Sequence, residues 1–263
     1  MSKEKIHFVS GLPRSGSTLL CNILAQNPEF HTTPTSACHE GLFTLRNAWG
    51  EWIEHKASDL GAEHNLQRVL NSYIYSYHDT DKPIIFDKGR GWLSLLELAE
   101  FATGEKAKVL VPVRNINSIL ASFEKLYRAN AHKNKHTGDY FQAQTVEGRC
   151  KHLASSNEVL GLAYNRLKDC IQRGLSDRLF LVEFEDLTHN PEQSMRAIYD
   201  FLGYDYFEHN FANVEQSTYE DDSVHGMDLH TIHNEVKPVL DDSIKILGQD
   251  VHKQYYNSEF WRN

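Results

Sequence analysis

Short apolar runs alternate along the chain with longer stretches in which apolar residues return every three or four positions, and this alternation sets the order of strands and helices. The runs are 6–9, 84–86, 109–113 and 179–182, rich in Val, Ile, Leu and Phe. A run that is apolar at nearly every position suits a parallel strand covered on both faces. Helical spacing occurs at Leu42, Leu45, Ala48, Trp49 and Trp52, and again at Leu66, Val69, Leu70, Tyr73, Ile74 and Tyr77. Further helices are predicted over 93–101, from Ile116 through Phe123, and as one long pattern over 147–173. Asn190-Pro191-Glu192 has the form of a capped start with proline at the first helical position, and Gly203 ends that helix. Residues 32–40 and 129–140 are polar and read as loops.

This order predicts an α/β fold: a doubly wound, mainly parallel central sheet in a single domain, with functional sites at the carboxyl ends of the strands. The regular pattern covers 6–203 and weakens over 204–263, and no repeat or Gly/Ser-rich linker divides the chain. Its 263 residues suffice to bury a sizeable core in one domain. Thirty-six acidic residues against 27 basic ones give a net charge of −9, so nucleic acid is not an expected partner and an anionic ligand must be met by locally placed cations. No stretch has the length and apolarity of a membrane span, and the polar residues 1–5 run straight into the first strand, so a soluble, cytoplasmic protein without a membrane partner is expected. Cys21, Cys38, Cys150 and Cys170 form no C-x-x-C pair and read as reduced thiols. The 15 histidines include no H-E-x-x-H motif, and His132, His136, His230 and His233 lack the spacing of a ligand set, so no metal site is expected. Oligomeric state is not written in the pattern.

Chemistry concentrates in Gly11-Leu12-Pro13-Arg14-Ser15-Gly16-Ser17-Thr18, between the first run and a helix that opens near Ser15. Strand, Gly-rich turn and helix form a phosphate-binding P-loop: backbone N–H groups curl inward and the helix adds the positive end of its dipole. The Gly11 to Gly16 interval fits G-x-x-x-x-G-K-[ST], but Ser17 stands where a nucleotide-triphosphate loop has its lysine. The cation in this turn is Arg14. A kinase uses the lysine to neutralise β- and γ-phosphates, so the loop suits a single 5′-phosphate carrying a transferable group. A P-loop small-molecule or nucleoside kinase, or a non-catalytic nucleotide-binding module, is the alternative.

The stretch 13–20 resembles the 5′-phosphosulfate loop of the sulfotransferases, and its arginine before Ser-Gly is similar to that of the tyrosylprotein sulfotransferases and their bacterial relatives. The resemblance implies 3′-phosphoadenosine-5′-phosphosulfate (PAPS) as donor, adenosine 3′,5′-bisphosphate (PAP) as product, no metal, and a hydroxyl-bearing acceptor. It assigns Pro13, Arg14, Ser15, Gly16, Ser17 and Thr18 to the 5′ end of the donor. Arg114 and Ser122, eight residues apart across a strand end and the next helix, are similar to the family's 3′-phosphate motif. Asp87-Lys88 resembles the element whose lysine assists the reaction, with Arg90 nearby. The segment 236–239 resembles a late donor-contacting stretch through Lys237, and Phe184 is a candidate adenine neighbour. Where the tyrosylprotein enzymes place a catalytic glutamate, a gapless count from Pro28 reaches Thr35. The base is then Glu40 or His39, and the acceptor stays open among phenols, glycans and small molecules.

Overall fold

The computed structural model describes residues 5–130, 132, 140–224 and 230–262. Its apolar runs become strands of a five-stranded sheet: β1 (Lys5–Val9), β2 (Phe30–Thr35), β3 (Ile84–Lys88), β4 (Val109–Val113) and β5 (Leu179–Glu183). Their order is β2-β3-β1-β4-β5 and every pairing is parallel. The helices are α1 (Ser17–Leu24), α2 (Cys38–Trp49), α3 (Ile53–Lys56), α4 (Glu63–Tyr77), α5 (Leu96–Thr103), α6 (Ile116–Ala129), α7 (Tyr140–Ala143), α8 (Val146–Ala154), α9 (Val159–Gln172), α10 (Phe184–His189), α11 (Pro191–Leu202), α12 (Ser243–Leu247) and α13 (Gln249–Gln254). Among the described residues no helix is long and apolar enough to cross a membrane.

Strand periodicity explains why the core is double. Successive side chains leave a strand on opposite faces. Ile6, Phe8, Ile85, Val109, Val111 and Val113 therefore join one buried cluster, while Val9, Ile84, Phe86, Leu110 and Val182 join a second on the other face. The first is closed by α4, α5, α6, α8 and α9, and the second by α1 and α11. The path from β1 runs outward through β2 and back through β3, then crosses β1 to reach β4 and β5. That reversal leaves the carboxyl ends of β1 and β4 adjacent, the position at which a doubly wound sheet opens a crevice.

Three local expectations are corrected. Residues 32–40 are not a loop: β2 runs to Thr35 and α2 begins at Cys38. Pro34 fits a strand because β2 lies at the sheet edge, where the register against β3 shifts between Thr32 and Thr35. The long pattern over 147–173 is two helices, α8 and α9, separated at 155–158, where Ser155 adopts extended backbone. Pro191 does open α11 and Gly203 closes it at φ 78°, but the Asn190 side chain makes no cap bond. Most of the polar stretch 129–140, including His136, lies outside the described residues.

Among the described residues between α11 and α12 there is little regular structure, yet several hydrogen bonds tie them down. Val214 N–H donates to Asn234 O and Val236 N–H to Phe211 O, so segments 211–218 and 230–236 run against each other. Asn22, buried in the middle of α1, accepts from Ser217 N–H, Ser217 Oγ and Thr218 N–H and donates to Thr218 Oγ1. A polar residue inside an apolar helix face thus clamps the C-terminal strap beside the phosphate loop.

Candidate active site

The turn after β1 is held open by close backbone contact with β4. Ser10 N–H donates to Leu110 O and Leu12 N–H to Pro112 O, extending the ladder past the end of the strand. Gly11 is required by that approach: a Cβ there would lie 2.1 Å from the Pro112 carbonyl oxygen. Arg14 and Gly16 take positive φ, 57° and 82°, the alternation that turns successive N–H groups to one side. The start of α1 has no side-chain cap and no acidic residue in its first turn, so its unpaired N–H groups and dipole favour an anion. Ser15 is 1% exposed and its hydroxyl donates to Leu12 O and Pro112 O. Its side chain therefore braces the loop, while Pro13, Arg14, Gly16, Ser17 and Thr18 line a cavity of about 940 Å³.

Two guanidinium groups converge on this cavity. Arg14 Nε donates to Ser122 Oγ at 3.2 Å, and Arg114 donates from Nη1 to Arg14 O at 3.1 Å. The Arg114 guanidinium also lies 4.3 Å from the Phe184 ring centroid. Phe184 packs on Gly16 so closely that a Cβ would be 2.6 Å from the ring. Burial lowers the pKa of both arginines, and for Arg14 the charge of Arg114 adds to it. Both stay protonated, since an arginine titrates far above neutrality. Asp222 offsets part of this for Arg14, and Glu185, Asp241 and Asp242 for Arg114; an anion between the two guanidinium groups would relieve their repulsion further. Arg14, Arg114, Ser122 and Phe184, separated by up to 170 positions in sequence, all face this one cavity.

Lys88 ends β3 and is 5% exposed. Its Nζ lies 3.4 Å from Thr18 Oγ1 of the loop and 2.5 Å from Glu220 Oε1 of the strap. Thr35 donates to the same Glu220 oxygen from N–H at 2.9 Å and from Oγ1 at 3.0 Å, and His230 Nε2 lies 3.2 Å from Oε2. Burial raises the Glu220 pKa, but the Lys88 charge and the hydrogen bonds from Lys88 and Thr35 outweigh it, and the carboxylate ends below its usual range. Preceding Lys88, Asp87 is fully buried and accepts from Ser36 Oγ and Trp92 Nε1, each at 2.6 Å. Asp87 thus holds the end of the strand, and burial raises its pKa. Cys38, His78 and Asp87 bring ligand-type atoms within 4.8 Å of one another, a grouping that their positions in sequence did not suggest. All four cysteines are buried free thiols.

The remaining sequence candidates fall at or beyond the rim. Lys237 lines the cavity on the strap side, exposed and paired with Glu235 at 3.2 Å. Arg90 also lines the cavity. His39 and Glu40 occupy the first turn of α2 and are not among the cavity-lining residues. The Glu40 side chain is 75% exposed, with its carboxylate 3.9 Å from His39 Nε2. The His39 ring packs on the Gly89–Gly91 backbone, where a Cβ on Gly91 would meet it at 2.0 Å, and burial lowers its pKa. Of the strap, sequence reading singled out Lys237 within 236–239 and missed Tyr219 and Glu220, which with 230–233 and 235–242 line one side of the cavity. The available signal was Asn22, a polar residue where the helix face calls for an apolar one.

Comparison with known proteins agrees with this geometry. The profile described as the sulfotransferase family matches residues 7–208. Nodulation protein NoeE of Sinorhizobium fredii is 26% identical across 81% of the chain, and the chain spans about half of that relative's length, 54%. The mouse sulfotransferase SULT7A1, solved in complex with PAP, superposes with a TM-score of 0.58 at 15% identity, covering 98% of this chain and 87% of the other. A sulfotransferase domain from the curacin biosynthetic pathway superposes at 0.53 with 17% identity, covering 96% and 97%. Both structures share the fold. Because the profile match runs through the whole sheet, the phosphate loop and the Arg114 turn, the chain belongs to the sulfotransferase family.

Proposed function

We propose that the chain moves a sulfuryl group from PAPS to an acceptor hydroxyl and releases PAP. The observation that carries this reading is the joining of the two basic turns: Arg14 to Ser122 and Arg114 to the Arg14 carbonyl, over one cavity. Two anion sites that share side chains suit a nucleotide with a phosphate at each end of its ribose. PAP in the mouse relative supports the same donor. The loop N–H groups and Arg14 take the 5′-phosphosulfate, Arg114 and Ser122 take the 3′-phosphate, Phe184 packs beside the base, and Lys237 closes the rim. Thr18 and Lys88, 3.4 Å apart beside the loop, are assigned by this reading to the bridging oxygen.

In-line attack forms an oxygen–sulfur bond while the bond from sulfur to the bridging oxygen breaks, leaving negative charge on the departing 5′-phosphate. Lys88 and Arg14 stabilise that charge in a site shielded from water, and holding donor and acceptor together supplies much of the remaining acceleration. Arg14, Lys88 and Arg114 provide the positive charge, so the step is written without a metal. The preferred acceptor is a phenol, tyrosine included, because its hydroxyl ionises near pH ~10, far below a sugar hydroxyl. This preference rests on the tyrosylprotein-like arginine of the loop. Sequence offers Glu40 and His39 as the base; neither lines the cavity, whereas Glu220, Asp221, Glu235, Asp241 and Asp242 do. The test is transfer of labelled sulfuryl from PAPS to a panel of phenols, tyrosyl peptides and glycans. Time-dependent PAP formation that requires an acceptor supports the reading, and nucleotide binding without any turnover reduces the chain to a binding module.

A further inference from the structure

Among the described residues lining the cavity, Glu220 is the carboxylate in contact with Lys88. Its position is built rather than incidental. Asn22 clamps Ser217 and Thr218 onto α1, two residues before it. Thr35 grips one carboxylate oxygen through N–H and hydroxyl, and His230 faces the other. His230 is held in turn by Asp222, whose Oδ1 is 2.5 Å from Nδ1. The chain of contacts Thr18 Oγ1, Lys88 Nζ, Glu220 Oε1 runs from the phosphate loop straight to this carboxylate. A group attached to a phosphate seated in the loop therefore arrives beside Glu220.

We propose that Glu220 is the general base that takes the proton from the acceptor hydroxyl, with Thr35, His230 and Asp222 as positioning residues. The proposal rests on the reading of the cavity as the PAPS site. In the step, the hydroxyl proton passes to a Glu220 oxygen as the acceptor oxygen's electron pair forms the bond to sulfur. The bond from sulfur to the bridging oxygen breaks, and its electron pair stays on the 5′-phosphate of PAP. Protonated Glu220 returns the proton to solvent after release. Lys88 couples the two halves of the site. Without donor its ammonium is paired with Glu220, which keeps the carboxylate ionised but a weak base. A donor draws the ammonium to the bridging oxygen, and Glu220, freed of its cation, becomes more basic when an acceptor needs it.

Glu40 and His39, by contrast, reach the cavity only by moving, since neither lines it. Glu220→Gln keeps an oxygen for the Thr35 bonds and removes the basicity. The experiment measures PAP binding by calorimetry, and sulfuryl transfer from PAPS to phenol, to p-nitrophenol and to water, for wild type, Glu220→Gln, Glu40→Gln and His39→Ala. Glu220→Gln is expected to bind PAP at least as tightly as wild type, because Lys88 no longer has to leave a carboxylate, while transfer to phenol falls by roughly two to four orders of magnitude. Transfer to p-nitrophenol, already ionised at mildly alkaline pH, falls far less. Where neither phenol is accepted, release of sulfate to water reads the same step. Turnover retained by Glu220→Gln, equal losses with both phenols, a water reaction that Glu220→Gln leaves unchanged, or a loss confined to Glu40→Gln or His39→Ala overturns the proposal. A wild type that fails to bind PAP overturns the reading of the cavity itself, and the base assignment with it.

Discussion

Replacing Arg114 by alanine separates the two anion sites, because its effects on the loop and on the 3′-phosphate can be read independently. Its guanidinium supports the Arg14 carbonyl at 3.1 Å and stacks on Phe184 at 4.3 Å. Loss of this hydrogen bond, donated by a charged guanidinium, costs about 1.5–3 kcal/mol, and loss of the ring contact about 0.5–1 kcal/mol at a partly exposed position. Both losses loosen the loop and weaken PAP and 5′-AMP alike, by about 30- to 900-fold if the whole cost falls on binding. In the proposed complex the contact with the 3′-phosphate is charge-assisted, worth about 1.5–3 kcal/mol, and is felt by PAP alone. Wild type is therefore expected to prefer PAP over 5′-AMP, and Arg114→Ala to cut that preference by about 10- to 150-fold. Titration calorimetry with both nucleotides at one fixed ionic strength gives the ratio free of changes in screening. If the mutant binds both nucleotides more weakly but keeps the wild-type ratio, Arg114 supports the loop and does not read the 3′-phosphate.

Gly11→Ala places a methyl group 2.1 Å from the Pro112 backbone oxygen, so a loss of about 1–3 kcal/mol in stability is expected by thermal unfolding; an unchanged melting temperature would contradict the close approach of β1 and β4. Acid should destabilise the fold through His7, His78 and His209, whose pKa values burial lowers from 6.5 to about 3, 4 and 4. The unfolded chain binds more protons between those values and 6.5, so stability is full above pH ~6.5 and declines as pH falls toward ~4, by about 1.4 kcal/mol per pH unit for each histidine. Asp87, with its raised pKa, opposes part of this. Melting temperatures that hold level or rise from pH 7 to pH 5 would refute it.

The sheet, the phosphate loop and the Arg114 turn were legible because their signals are local. A β-branched run marks a strand wherever it falls, and Gly11 and Gly16 are demanded by the backbone of the turn itself. The body of α2 was also legible from the spacing of Leu42, Leu45 and Trp49. The edge strand β2 was hidden by Pro34, which reads as a strand breaker unless the strand is known to lie at an edge. The break between α8 and α9 was hidden because both halves keep helical spacing. Of the strap, sequence offered Lys237 but not Glu220, because the segment has no periodicity of its own and takes its shape from Asn22, Thr35 and Lys88, each at least 130 residues away. Counting from Pro28 reached Thr35 where a carboxylate was sought, and the structure puts the Glu220 carboxylate on the Thr35 N–H and hydroxyl. Sequence order conceals such a substitution, because the group arrives from the far end of the chain.

The central claim is that the cavity over Arg14 and Arg114 takes a nucleotide phosphorylated at both the 5′ and 3′ positions. Its most direct measurement is calorimetric titration of the wild-type protein with PAP, beside ATP in the presence of Mg²⁺. One-site binding of PAP with a dissociation constant well below about 1 mM, and ATP weaker by at least roughly tenfold, is the result predicted. ATP–Mg²⁺ binding as tightly as PAP, or no heat from PAP at all, would contradict it.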